Sequence, residues 1–313
     1  MRITQRSLAV TSLQGLNRNM DAISKLQAQL TSGKTINKPS DDPTGTNAAM
    51  QTRQELAGAV QYARNISDGL GQLDATDSAL RSMINQVQRV RDLTVQASNA
   101  GAQSPASRSA VQVEVVGLRQ SLIGLANTTV QGQPLFGGVT SGSAAYDTTG
   151  VYQGFGGTST VPVIPVTRQV SEEDSIRVDI TGPEAFGETR PAMTDADGRT
   201  VPATRDLFTL VADIADHAVS DPDALAGDLR DLDLALDRMT KAAADIGSRT
   251  NRIETAKQVN ADLQLSLTSR SADIENVDLA KTIMNLTMQQ TGYEAALGAT
   301  AKAIQPTLLD FLR

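Results

Sequence analysis

Both ends of this chain carry an apolar row stepping by threes and fours. Near the start the row is Leu13, Leu16, Met20, Ile23, Leu26 and Leu30. Near the end it is Leu279, Ile283, Leu286, Tyr293, Leu297 and Ile304, with Leu308 and Phe311 beyond and polar Gln290 and Thr300 at intervening positions. That spacing draws a single stripe along a helix. A sustained alternation of three and four is the seam of a helix packed lengthwise on another. One stripe at each end, with nearly the whole chain between, predicts that the ends meet each other or meet other copies.

Composition narrows the options. Aromatic residues are only 3% of 313, with no Trp, while hydrophobic residues as a whole reach 40%. A compact enzyme core fills space with large rings, whereas this balance fits long helices packed side by side. A net charge of -7 with scattered Lys and Arg argues against a nucleic-acid surface. The absence of cysteine removes disulfides, thiolate metal sites and thiol chemistry. MRITQRSLAVTSLQ lacks the apolar segment and cleavage site of a secretory signal, and no stretch is long and apolar enough to span a bilayer.

Along the chain, a first helix is expected over Ile3–Thr31, closed by Ser32-Gly33. A polar loop follows, and Asp42-Pro43 reads as the next helix start. The second helix is expected to reach about Ala100, with Val60, Ile66, Leu70, Leu73, Leu80, Ile84, Val87 and Val90 as its stripe and Asp77 as a polar break. Ser104-Pro105 opens a third helix carrying Val111, Val115, Leu118, Leu122 and Leu125. Gly, Ser and Thr then dominate, followed by β-branched runs at Val161–Val170 and Ser175–Ile180 split by Pro and Gly, the texture of short strands and turns. Helix resumes at Asp206 and again after Asp221-Pro222, with Leu232, Leu236, Met239, Ile246, Ile253, Val259, Leu263 and Leu267 in its stripe and a joint at Ser271–Asn276. The expected fold is mainly α with a small β-rich insert (α+β). It is a long coiled-coil or helical-bundle rod formed by paired N- and C-terminal helices. Its domains are nested: 1–42 with 272–313, 43–137 with 206–271, and 138–205.

Motifs that carry chemistry are weak. Ser32-Gly33-Lys34-Thr35 resembles the end of a phosphate loop, but Ala28 stands where that motif needs its first glycine. Asp195-Ala-Asp197-Gly198 lacks the glutamate that completes a calcium loop. Ser171-Glu-Glu-Asp174 reads as a solvated acidic loop. His217, the only histidine, is expected on a helix surface. No catalytic, metal or cofactor set emerges, and amide-rich polar faces favour partner helices over a membrane surface.

SGKTINKPSDDPTGTNAAM at 32–50, PLFGG at 134–138, DIGSRTNRIE at 245–254 and the ending from Asp273 to Leu312 together resemble the bacterial flagellins and their relatives. Within that family Lys38, Pro39, Ser40, Asp41, Asp42 and Pro43 resemble the hook-associated branch rather than the filament branch. The resemblance implies a non-enzymatic structural protein, exported by the flagellar type III apparatus without signal cleavage, outside the cell at the hook–filament junction. Its implied partners are copies of itself in a ring or short helical tube, a hook-associated protein on the hook side, flagellin on the filament side, and an export chaperone. No nucleic acid, membrane, small-molecule substrate or cofactor is implied. The two terminal rows are the expected assembly interface and Lys38–Pro43 the expected junction loop. A lone amphipathic helix is marginal in water, so residues 1–40 and 272–313 are expected to order only on assembly.

Overall fold

In the computed structural model the described residues are 5–98, 104–140, 142–158, 161–194, 200–201 and 203–304. They form helices α1 (Gln5–Ser32), α2 (Pro43–Ser98) and α3 (Pro105–Ala126), then strands β1 (Thr129–Val130), β2 (Gln133–Pro134), β3 (Thr167–Gln169) and β4 (Ser175–Arg177). The short α4 (Gly182–Phe186), β5 (Met193–Thr194), β6 (Thr200–Val201), α5 (Leu207–Ser220), α6 (Leu225–Glu275) and α7 (Leu279–Ile304) complete the order. The chain divides into two compact units, one of Met1–Ala59 with Asp262–Arg313 and one of Val60–Ala261.

The long helices follow heptads. On α2 the buried positions Thr52, Ala59, Ile66, Leu73, Leu80, Val87 and Thr94 recur every seven residues, and Thr76, Met83, Val90 and Ala97 form the companion row. Three of these are threonines. Each returns its hydroxyl to its own helix, Thr52 to the Ala48 carbonyl, Thr76 to Gln72 and Thr94 to Val90, so none is buried unpaired. The seam therefore passes through Thr76, not the predicted Asp77. Asp77 sits beside it and pairs with Arg81 one turn on, at 2.7 Å. Predicted Val60 is 37% exposed.

On α6 the buried row is Leu232, Met239, Ile246, Ile253, Asn260 and Leu267, again in sevens. Asn260 takes the inward position. Val259 and Leu263, expected in the stripe, are 63% and 47% exposed. The predicted joint also moves: α6 runs on to Glu275, and the break is Asn276–Asp278.

Within the second unit α3 packs on α5, and the caps are where the sequence put them. The Ser104 hydroxyl accepts the Ser107 N–H, and the Asp206 carboxylate accepts the Thr209 N–H at 2.7 Å. The expected β insert has less ladder than its texture promised. Val161–Val166 forms no strand, because Pro162 and Pro165 have no N–H to give. β3 and β4 form a hairpin, with Thr167 opposite Arg177 and Gln169 opposite Ser175. The predicted acidic loop Ser171–Asp174 is its turn, held by Val170 N–H on the Asp174 carbonyl. Five rings, Phe136, Tyr146, Tyr152, Phe186 and Phe208, pack edge-on or tilted against one another. Five of the nine aromatic residues of this chain thus share one cluster.

Candidate assembly surface

The first unit is built on α1 and α7, which pack together as an antiparallel pair. Gln289 donates to Asn19 across it at 3.0 Å, and Lys34 pairs with Asn276 at its closed end. The half-buried residues define the seam: Ser12, Leu16, Asn19, Ile23, Leu26 and Leu30 face Leu286, Gln289, Tyr293, Ala296 and Thr300, with Thr282 fully buried. Steps of four and three alternate on both helices. Half of this seam is polar or small. No described side chain of α1 is buried, and on α7 only Thr282 is.

The predicted interface residues split into two sets. Leu16, Ile23, Leu30, Leu286 and Tyr293 lie in the seam. Leu13, Met20, Leu279, Ile283 and Leu297 stay 42–56% exposed. The side chain of Ile304, and Leu308 and Phe311 entirely, lie outside the described residues. In an antiparallel pair, residues one place after a seam position fall on the same flank of both helices. Leu13 and Met20 follow Ser12 and Asn19, and Ile283 and Leu297 follow Thr282 and Ala296. The pair therefore presents one apolar flank, interrupted by Gln27 and Gln290. The opposite flank carries Arg18, Lys25 and Lys281, together with exposed Met288. Periodicity could not distinguish these neighbouring rows, because both step by threes and fours.

The Lys38–Pro43 loop is tied down by its own carboxylates. Asp41 accepts the Lys38 N–H at 3.0 Å and pairs with Lys25 at 3.2 Å. That amide first, and then the Lys25 ammonium, hold its carboxyl below the usual range. Asp42 caps α2 by accepting the Gly45 N–H at 2.9 Å, with Pro43 at the first helical position, as the sequence indicated. Lys38, Pro39 and Ser40 are exposed. A Cβ on Gly45 would meet Ile36 Cδ1 at 2.7 Å and the Asp42 carboxylate, so a larger residue there would have to displace these two side chains.

Sequence reasoning missed Glu275. Its side chain is 7% exposed, and its oxygens accept Arg53 Nε and Nη2 at 2.6 Å each and Lys34 Nζ at 2.8 Å. Arg53 above all, then Lys34, lower its carboxyl to about 2. Ser32–Thr35 is thus no phosphate loop. Gly33 takes φ +69° to end α1, and Lys34 serves the clasp. No spacing rule links positions 34, 53 and 275, and only the fold reveals them together.

His217 is not the simple surface residue expected. Its Nδ1 lies 2.6 Å from the buried Asp228, whose other oxygen meets Arg205 at 3.0 Å. Arg205 also pairs with Asp213 and Asp231. Asp195–Gly198 lies outside the described residues. Among the described residues no group of three or more His, Asp or Glu could hold a metal ion, and no helix is long and apolar enough to cross a membrane.

Known proteins resemble this chain. The profile of the bacterial flagellin N-terminal helical region matches residues 3–141, and that of the C-terminal helical region matches 229–312. The chain belongs to the bacterial flagellin family. It is thereby a structural protein of the bacterial flagellum. Flagellin of Bacillus subtilis is 28% identical, with 100% of each chain covered. Flagellar hook-associated protein 3 of Escherichia coli is 27% identical over 96% of each. Among solved structures, a putative flagellar hook-associated protein from Vibrio parahaemolyticus superposes with a TM-score of 0.62 at 18% identity, covering 75% of this chain and 100% of its own. FlgL of Bacillus cereus gives 0.57 at 21%, covering 71% and 99%. Flagellin-family matches thus take in both α1 and α7, the two helices that form the pair.

Proposed function

We propose that this chain is the adaptor at the hook–filament junction, exported by the flagellar type III apparatus and assembled as a ring or short tube of copies. The apolar flank of the terminal pair carries this reading. Four large exposed apolar side chains, Leu13, Met20, Ile283 and Leu297, line the flank of a pair whose own seam is half polar, so neighbouring copies complete what the pair begins. Burial of each is worth about 1.5–3 kcal/mol and contributes, with the rest of the assembly contacts, against the cost of ordering two helices. Head-to-tail contacts of this kind stack subunits instead of closing a dimer. The helices on the open side of the clasp, α1 and α7, gain their full order in the assembly. Lys38–Pro43 is the junction loop, and hook-associated protein, flagellin and an export chaperone are the partners.

The full-length likeness to hook-associated protein 3, together with the KPSDDP loop, supports the junction over the filament. The filament reading has its own support in the equally complete likeness to Bacillus subtilis flagellin. Deleting the gene separates them. Hooks without filaments, with flagellin shed into the medium, are the expected result. Hooks without filaments and no other flagellin would make this the filament subunit. Normal swimming would remove both readings.

A further inference from the structure

The seam between α1 and α7 is a poor ruler. Its pattern repeats every seven residues, so a slide of one heptad sets seam residues opposite seam residues again. Leu16, Ile23, Leu26 and Leu30 supply most of its apolar bulk, and the facing row has only Leu286 and Tyr293 of comparable size. The Asn19–Gln289 bond resists a slide, but both residues are only half-buried.

At the closed end the contacts are of another kind. Thr35 N–H donates to the Glu275 carbonyl at 2.7 Å, and Val277 N–H donates to the Gly33 carbonyl at 3.0 Å. The Thr35 hydroxyl adds a bond to the Asn276 carbonyl at 3.0 Å. The chain leaving α1 is therefore laddered, residue by residue, to the chain entering α7. The Glu275 side chain fastens this ladder to two other segments, to α2 through Arg53 and to the loop through Lys34. A buried carboxylate stripped of its partners costs far more than the paired one gains. Any alignment that draws Glu275 away from Arg53 and Lys34 bears that cost.

We propose that the Glu275–Arg53–Lys34 clasp is the register lock of the terminal helix pair. It fixes the closed end of a hairpin of helices, and α1 and α7 zip outward from it in one alignment. Glu275 is the positioning residue, and Arg53 and Lys34 hold it. With the ends already joined, the remaining loop entropy of bringing α1 to α7 is small. The apolar flank then has one composition, because a slipped pair would set Leu13 and Met20 against a different stretch of α7. The lock acts within one chain and does not depend on what the assembled structure is.

The natural chain has no cysteine, so introduced pairs report without background. Two full-length versions are compared under mild oxidation, Asn19→Cys with Gln289→Cys for the native register and Asn19→Cys with Ala296→Cys for a one-heptad slip. Disulfide formation traps even a transient pair, and the readout is the ratio of the two yields. With the clasp intact the native pair should dominate by roughly tenfold or more, from the strength of hydrogen bonds to charged groups. Glu275→Gln and Arg53→Glu should each bring the ratio close to one. Arg53→Glu combined with Glu275→Arg should restore it, which separates lost pairing from a joint that has unfolded. A ratio near one in the parent, a ratio unchanged by Glu275→Gln, or no restoration by the charge reversal would each overturn the lock.

Discussion

The two kinds of helix row in this molecule share a spacing and differ in what covers it. In the second unit the rows of α2 and α6 are sealed, with Leu73, Leu80, Val87, Leu232, Met239 and Ile246 all 0% exposed. In the first unit the α1–α7 seam is only half-buried, and a second set of large apolar residues, Leu13, Met20, Ile283 and Leu297, lies exposed beside it. A row that closes within its own chain makes a stable body. A row left open stays available to other chains, which is what the proposed assembly uses.

Substitution should separate the two sharply. Leu80→Ala leaves a cavity in a sealed row and should cost about 2–5 kcal/mol in urea unfolding of the free chain, while Leu297→Ala should stay within about 0.5 kcal/mol. The clasp is the next largest effect. Its carboxyl falls from an ordinary 4.5 to about 2 in the folded chain. A depressed value means that the contribution is present in full above pH 4.5 and is lost as pH falls from 4.5 to 2. The stability gap between the natural chain and Glu275→Gln should be about 1–3 kcal/mol at neutral pH and should close across that window. A gap independent of pH would remove the charged clasp. Gly45→Ala should cost about 1–3 kcal/mol by overpacking against Ile36 and Asp42, measured as a lowered urea midpoint. The smallest effect sharpens the comparison most. Removing 1–32 and 279–313 should leave the number of helical residues in the free chain nearly unchanged by circular dichroism, and a large loss would mean that the open pair is stable by itself.

Much of this was legible in the sequence. Capping chemistry is local, so Ser104, Asp206 and Asp42-Pro43 announce their helices. The sealed rows were found, since Leu73, Leu80 and Met239 have no polar rivals nearby. Reading failed where a polar residue took an inward place. Thr76 and Asn260 occupy seam positions beside more obvious candidates, because threonine satisfies itself within a helix and a buried asparagine tolerates a seam. For the same reason the terminal stripes indicated the right helices but mixed seam residues such as Leu16, Ile23 and Leu286 with a row one position off it, Leu13, Met20, Ile283 and Leu297. The Val161–Val166 run misled through composition, its prolines cancelling the ladder that its valines favour. The clasp was invisible, since its three residues come from three distant segments.

The open flank is what assembly would use. The direct measurement is to return Leu297→Asp, in the full chain, to a strain lacking the gene, and to score secretion, filaments and swimming together. The flank predicts a soluble, secreted chain with intact hooks, no filaments and no motility. Restored swimming with a charge at position 297 would contradict it.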